Sequence, residues 1–219
     1  MSDNVRRVVR EGYDALAARY LEWTAATVDE ARAEFVAALE ARLPDGAAVL
    51  DLGSGAGIPT ARDLARRLRV TGIDLSPAQV DQARENVPAG TFLTGDLATV
   101  DWPAESFDAV MALYSITHLP RREHAALFRR IHGWLRPGGW FLACMGADDA
   151  PDWTGDWLGV EMFFSSWDAA TNRRLVRDAG MDLVLDELRV TREPEGDVRF
   201  LWILARRPES SGAAATRPP

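Results

Sequence analysis

From residue 45 onward the chain alternates short, almost wholly apolar runs with amphipathic segments, and this alternation restricts the fold more than any other feature of the sequence. The runs are AAVLDL, LRVTGIDL, TFLTGD, FDAVMALYS and GWFLACM. Strands covered on one face alternate apolar and polar residues, whereas strands covered on both faces read as continuous apolar runs. Between the runs lie TARDLARRL, SPAQVDQARENV and HAALFRRIHGWL, with apolar residues at helical spacing. Parallel neighbours cannot be joined by a tight turn, and a helix supplies the crossover they need. The order predicts an α/β fold with a doubly wound, mostly parallel seven-stranded sheet. Its last two strands, MDLVLDELRV and VRFLWILARR, are separated only by a Pro-Glu-Gly-Asp turn and should form an antiparallel edge hairpin.

Punctuation supports these boundaries. Pro59 suits a first helical turn, Ser76-Pro77 reads as an N-cap followed by proline, and Arg136-Pro137-Gly138-Gly139 reads as a helix stop and a turn before the fifth strand. Gly180 should close a helix that begins near Asp168. Ahead of the sheet, Val5 to about Arg42 reads as helix, with Tyr13, Leu16, Tyr20 and Trp23 on one face that must cover something. One domain over 1–208 is therefore expected, with an N-terminal helical cap over 1–43, an aromatic lid segment over 151–168 and a disordered tail over 209–219.

The net charge of −8 disfavours a nucleic-acid partner, because phosphate binding relies on clustered Lys and Arg. Arg121, Arg122, Arg129 and Arg130 read instead as a solvated helix face. No apolar stretch approaches the roughly 20 residues that span a bilayer, and the first residues lack the apolar core of a secretory signal. A single cysteine, Cys144, forbids an internal disulfide. A cytoplasmic protein without a membrane partner, acting on a small molecule, is the expectation.

The glycine loop VLDLGSGAGIPT follows a strand and opens a helix, where backbone N–H groups can approach a ligand. Its pattern is G-x-G-x-G, with Ile58 where a dinucleotide fingerprint has its third glycine. Asp51 lies two residues before the first glycine, where its charge opposes a pyrophosphate but suits a cation. Asp74 ends the second strand, 21 residues after Gly53, at the place where a carboxylate accepts ribose hydroxyls. Asp96 ends the third strand at the same carboxyl edge. Three acids beside a glycine loop describe a nucleoside site with an adjoining cation and no pyrophosphate.

Taken in order, DLGSGAG, GIDLS, GDLATVDWP, SFDAVMALYSITHLP and LRPGGWFLA make the sequence resemble the class I S-adenosylmethionine-dependent methyltransferases over about Tyr13 to Arg207. The resemblance implies S-adenosyl-L-methionine as cofactor. It implies that Gly53, Ser54 and Gly55 bracket the methionine moiety, with Asp51 nearby, and that Tyr20 reaches its carboxylate. It further assigns Asp74 to the ribose hydroxyls, Leu75 to packing on adenine, Asp96 to the adenine amino group and Leu97 to a backbone contact with the ring. The Ala112 carbonyl would take the methionine ammonium.

Methyl transfer from a sulfonium needs alignment and a dry pocket, and a protic acceptor gains from a base. His118, just past the fourth strand, is the catalytic candidate, and Tyr114 a second one for orienting substrate. Their alternatives are a turn-capping histidine and a buried tyrosine satisfied by backbone. His124 and His132 read as structural or exposed, and Cys144 as a core residue. The stretch PDWTGDWLGVEMFFSSWD concentrates aromatic residues, so Trp153, Trp157, Phe163, Phe164 and Trp167, with Tyr13 from the cap, are expected to wall an apolar or aromatic acceptor that Glu161 orients. A satellite hydrophobic cluster or a homodimer contact is the other reading of that segment. Asp148-Asp149 faces no carboxylate at the end of the fourth strand, so no metal is expected. The competing functions are an NAD-dependent oxidoreductase, which Ile58 and Asp51 disfavour, and a non-catalytic cofactor-binding scaffold.

Overall fold

A computed structural model describes residues 2–26, 29–193 and 196–209. Seven strands form one sheet in the order β3-β2-β1-β4-β5-β9-β8. They are β1 (Ala48–Leu52), β2 (Arg69–Asp74), β3 (Thr91–Thr94), β4 (Phe107–Leu113), β5 (Leu135–Gly146), β8 (Asp182–Glu193) and β9 (Gly196–Arg206). The first five are parallel, and β9 runs against both β5 and β8, so the expected edge hairpin is present. The order reverses around β1, whose neighbours are β2 and β4, and ligands of open α/β sheets settle at such a point.

Period-two alternation along buried strands feeds two cores. Leu50, Leu52, Val110, Phe141 and Ile203 face α5 (Arg121–Trp134) and α6 (Ala169–Asp178). Val49, Met111, Leu142, Cys144 and Trp202 face α2 (Glu30–Glu40), α3 (Thr60–Leu64) and α4 (Pro77–Asn86). Leu127, Phe128 and Ile131 of α5 recur at one helical face and are fully buried. Ser76 caps α4 by accepting from the Gln79 N–H at 3.2 Å, as its place before Pro77 predicts.

Three local expectations are corrected. The helix expected over Val5 to Arg42 is two: α1 (Ser2–Ala26) and α2, because Asp29 accepts from the Arg32 N–H at 2.9 Å and starts a new helix. The Arg136-Pro137-Gly138-Gly139 stretch is not a separate turn but an irregularity inside β5, where Gly138 has φ 78° and the pairing with β4 shifts register. The aromatic lid segment, for which the sequence suggested no strands, is a hairpin of β6 (Ala150–Trp157) and β7 (Val160–Ser166). Its two-residue turn, Leu158-Gly159, has φ of 53° and 79°, and two positive values in sequence fit a type I′ turn. The expected disordered tail lies outside the described residues from 210 on, as do Pro194 and Glu195 of the edge hairpin's turn.

A third core joins α1 to this hairpin, away from the sheet. Val8, Val9 and Leu16 are buried against Met162 and Phe163. Gly12 permits the close approach, since a Cβ there would sit 2.7 Å from Met162 Cε. Asp14 fastens α1 to the start of α4, accepting from the Ser76 hydroxyl and from the Ala78 N–H at 3.3 Å. Together α1 and the hairpin roof the carboxyl edge of the sheet.

Truncating Leu16 to alanine removes about 2–5 kcal/mol of packing from this roof. Because the third core is separate from the other two, amide exchange should accelerate in α1 and the β6–β7 hairpin while β1, β4 and β5 keep their protection.

Candidate functional site

The glycine loop is sewn to both neighbouring strands. The Gly53 and Ser54 N–H groups donate to the Ile73 carbonyl at 2.8 and 3.0 Å, and the Ser115 hydroxyl donates to the Leu52 carbonyl at 2.6 Å. Gly53 has φ 78°, and a Cβ on it would lie 2.3 Å from Ser115 Cβ, so glycine is required twice over. Gly55, at φ 51°, turns its N–H to Asp74 Oδ2 at 2.9 Å. Asp74 Oδ1 accepts from the Ser76 N–H at the same distance.

Asp51 is buried at the end of β1 and faces this second acid. Burial, then the charge of Asp74, pushes its pKa up to about 7, and the nearby Arg32 pulls the other way. Burial also raises Asp74, against the N–H bonds from Ser76 and Gly55. Two adjoining hollows open here. One, of about 560 Å³, is lined by Tyr20, Arg32, Asp51 and the loop residues 53–58. The other, of about 680 Å³, is lined by Asp74, Leu75, Gln79, Asp96, Leu97, Leu113 and the residues around His118. Gln79 is buried with neither side-chain polar atom hydrogen-bonded, and Ser54 Oγ is likewise without a partner. Buried polar groups left unpaired beside a hollow are the signature of a polar ligand's place.

Asp96 accepts from the Ala98 N–H at 2.8 Å through Oδ1, while Oδ2 takes Arg6 Nε of α1. Arg6 also bonds Glu123 at 3.0 Å. In the second hollow the Tyr13 hydroxyl lies 2.8 Å from His118 Nε2, and His118 Nδ1 lies 2.9 Å from the Phe163 carbonyl. A carbonyl only accepts, so Nδ1 carries the proton, Nε2 accepts, and the Tyr13 phenol donates to it. Burial pushes the His118 pKa down to about 4, against the bond to Phe163, and the ring stays neutral over the physiological range. Phe164 packs on His118 at 4.8 Å, and Trp157 reaches Phe164, Tyr13 and Tyr20 at 5.5, 6.2 and 6.2 Å between ring centres.

The structure thus gathers Tyr13, Tyr20, Asp51, Gly53, Ser54, Gly55, Asp74, Leu75, Asp96, Leu97 and His118 around one cleft. Of the residues expected to wall the acceptor, Trp157, Phe163, Phe164 and Trp167 line neither hollow. Ala112 is fully buried in the sheet, and Leu113 lines the cleft at that strand end. Tyr114, at φ 61°, lines the cleft with its ring but donates its hydroxyl to Asp29 at 2.6 Å, away from His118. Burial raises its pKa, so it remains a neutral phenol. Glu161 is exposed opposite Asp156 in the hairpin and lines neither hollow, and Trp153 is half exposed at 50%. Phe163 contributes its carbonyl while its ring belongs to the third core. Arg6, Arg32, Gln79 and Leu113 were not singled out by the sequence. Gln79 carried a signal: three residues past the N-cap Ser76, it is a polar residue on the inward face of α4.

Residues 49–139 match the family described as a methyltransferase domain. The 27-O-demethylrifamycin SV methyltransferase of Amycolatopsis mediterranei is 35% identical over 129 residues, 55% of this chain and 47% of that protein. The chain spans about half the length of the curated relatives it matches. Among solved structures, a DhpI–SAH complex superposes with TM-score 0.74 at 22% identity, covering 96% of this chain and all of the other. The 1,6-didemethyltoxoflavin-N1-methyltransferase of Burkholderia thailandensis, solved with 1,6-didemethyltoxoflavin and S-adenosylhomocysteine, gives 0.71 at 23% identity over 95% and 91% of the two chains. These structures share the fold.

The Asp51 pKa predicts a pH signature for the free protein. A carboxyl whose folded pKa lies above its unfolded value near 4 costs no stability below that value, a growing amount between it and about 7, and the full amount above 7. Asp51→Asn should therefore raise the melting temperature at pH 8, and the gain should vanish as the pH falls toward 4; calorimetric scans across that range check it.

Proposed function

We propose that this chain, whose residues 49–139 match a methyltransferase domain, is a class I S-adenosylmethionine-dependent methyltransferase that transfers a methyl group from S-adenosyl-L-methionine to a small apolar or aromatic metabolite. The observation that carries this reading is the pair of adjoining hollows: one lined by Asp51, Arg32 and the loop backbone, the other by Asp74, Gln79 and Asp96 together with Tyr13 and a neutral His118.

The first half fits the amino-acid end of the cofactor. Asp51, held near neutrality by burial, would ionise against an ammonium, and Arg32 and Tyr20 line the same hollow where a carboxylate would lie. Ser54 Oγ and both polar atoms of Gln79 are unpaired and would be satisfied by the sugar and the amino-acid chain. Asp74 would accept the ribose hydroxyls with the lone pairs left by Gly55 and Ser76. Leu75 and Leu97 would flank adenine, and Asp96 would take its amino group by sharing the oxygen now held by Arg6. The cofactor supplies an activated methyl on a cationic sulfur. The protein's own work is to align the acceptor and exclude water beneath the α1–hairpin roof, where Tyr13 lines the hollow and Trp157 and Phe164 pack against Tyr13 and His118.

We read the partner as a small molecule rather than a nucleic acid or a membrane surface, and the compartment as the cytoplasm. Arg122 is paired with Asp152 at 3.5 Å and Arg121 with Asp149, so this helix end offers no phosphate cradle. No helix among the described residues is long and apolar enough to cross a membrane. We also read the half-exposed Trp153 as a candidate homodimer contact.

Calorimetry should show S-adenosylmethionine binding to the wild-type protein, weakened by roughly 1–3 kcal/mol in Asp74→Ala through loss of charge-assisted hydrogen bonds. His118→Ala should lower kcat and leave cofactor affinity unchanged. Binding of NAD with none of S-adenosylmethionine would overturn the assignment.

A further inference from the structure

The sheet has two edges, and they are unlike. At one, β3 is four residues long, and so short a strand offers another chain little to pair with. At the other, β8 runs for twelve residues, and its one shift of register against β9 falls near its start, between Leu183 and Leu185. From Leu185 to Glu193 the strand is regular, and no described strand pairs with its outer side. An edge strand leaves the N–H and C=O of every second residue open, and soluble proteins blunt such an edge with proline, lysine or a bulge. The regular part of β8 has neither proline nor lysine. Three of the five large apolar side chains exposed among the described residues belong to β8: Val184, Leu188 and Val190, at 44, 49 and 63%.

The side chains of β8 are arranged to fit a second β8. Leu188 stands opposite Leu201 of β9, on the face of the sheet that α5 and α6 cover. Glu187 and Arg189 point to the other face, where Arg189 bonds Glu34 of α2 at 2.9 Å and Glu187 at 2.6 Å. The Arg189 Nε, screened from water, has no hydrogen-bond partner. A twofold axis perpendicular to the sheet sets two copies of the strand antiparallel and keeps each side chain on its own face. With that axis at Leu188, the leucine meets its own copy, and Glu187 of each chain stands opposite Arg189 of the other. Cross-strand pairs of opposite charge stabilise a sheet, and like charges directly opposite weaken it. Moving the axis by one residue sets either Glu187 or Arg189 against its own copy. The charges that would repel a stray strand are therefore matched to this one.

We propose that β8 is a homodimer interface, through which two copies of the chain join edge to edge and antiparallel about Leu188 into one continuous sheet. The pairing hydrogen-bonds the open backbone groups of β8, covers Leu188 with its copy and brings a carboxylate from across the junction to each Arg189. Between β8 and β1 lie β9, β5 and β4, so the cleft of each copy stays clear of the junction.

Sedimentation velocity and light scattering on the full chain test this without cofactor or substrate. The wild-type protein should show twice the mass of the chain, and Leu188→Arg should raise the dimer dissociation constant by at least about a hundredfold, since it sets two like charges face to face at the centre. Leu93→Arg on the opposite edge and Trp153→Ser on the hairpin should leave the dimer intact. Leu188→Cys reads the register directly, because the native Cys144 is buried and does not compete. Under mild oxidation by a glutathione disulfide buffer it should give a reducible dimer on a denaturing gel, whereas Val190→Cys, which the axis places opposite Asp186, should not. Wild-type protein that is monomeric up to its solubility limit would overturn the interface. So would a dimer that Trp153→Ser breaks and Leu188→Arg spares, or cross-linking through position 190 in place of 188.

Discussion

Asp51 and Asp74 end neighbouring strands at the carboxyl edge of the sheet, and the cost of burying both carboxyls, with the repulsion of Asp51 by Asp74 second to it, bears on much of what surrounds them. Parallel pairing places Asp51 opposite Gly72 and runs β2 two residues further, to Asp74. Both acids then emerge at the carboxyl edge, one of them almost sealed from water. Part of the compensation is built in. Asp74 takes two backbone N–H groups, one from the glycine loop and one from the start of α4, and Arg32 leans its charge toward Asp51. What remains uncompensated shows as an Asp51 carboxyl held near neutrality. A free protein that carries such a cost gains by taking up a cation, and an anionic pyrophosphate would add to it.

The roof answers a different constraint. The hairpin of β6 and β7 pairs with no strand of the main sheet, and a two-stranded ribbon is marginal by itself. Its apolar face is buried by α1, and α1 in turn is fastened through Asp14 to α4 and through Arg6 to Asp96. The two share one core, so they should open and close together. Through that docking Tyr13 of α1, His118 of the turn after β4 and the Phe163 carbonyl of β7 meet in one hydrogen-bonded chain, although they are far apart in sequence.

The sheet was legible because burial on both faces leaves a strong mark: unbroken apolar runs of four to eight residues cannot be much else when amphipathic helices separate them. The acids Asp51, Asp74 and Asp96 were legible because each terminates such a run. The hairpin was not, since its turn is Leu158-Gly159 rather than Asn-Gly, and its strands mix Asp152, Thr154 and Asp156 with tryptophans. The break between α1 and α2 hides for a related reason: Thr27 and Val28 continue an apolar-periodic pattern, and only the capping acid Asp29 marks the new start. Arg6, Arg32 and Gln79 owe their places in the cleft to how α1, α2 and α4 dock, and spacing within one helix carries no record of that. Tyr114 shows the same limit, because its motif fixed its position at the strand end while Asp29, 85 residues away, decided where its hydroxyl points.

The two halves of the cleft are electrically unlike, and the difference has a chemical logic. A sulfonium donor binds as a cation and leaves neutral, so acids close to sulfur would stabilise the ground state more than the transition state and slow the transfer. Asp51 lines the hollow of the loop, and the acids that share the second hollow with His118, Asp74 and Asp96, are occupied by backbone N–H groups and by Arg6. Around His118 the wall is aromatic and the histidine itself is uncharged. Aromatic faces stabilise a cation weakly without binding it as an ion pair does. On the proposed reading, a donor anchored by charge at its amino-acid end, with acids near its methyl group already bonded, would be held firmly while that group stays reactive, which a pocket of unpaired acids would not achieve.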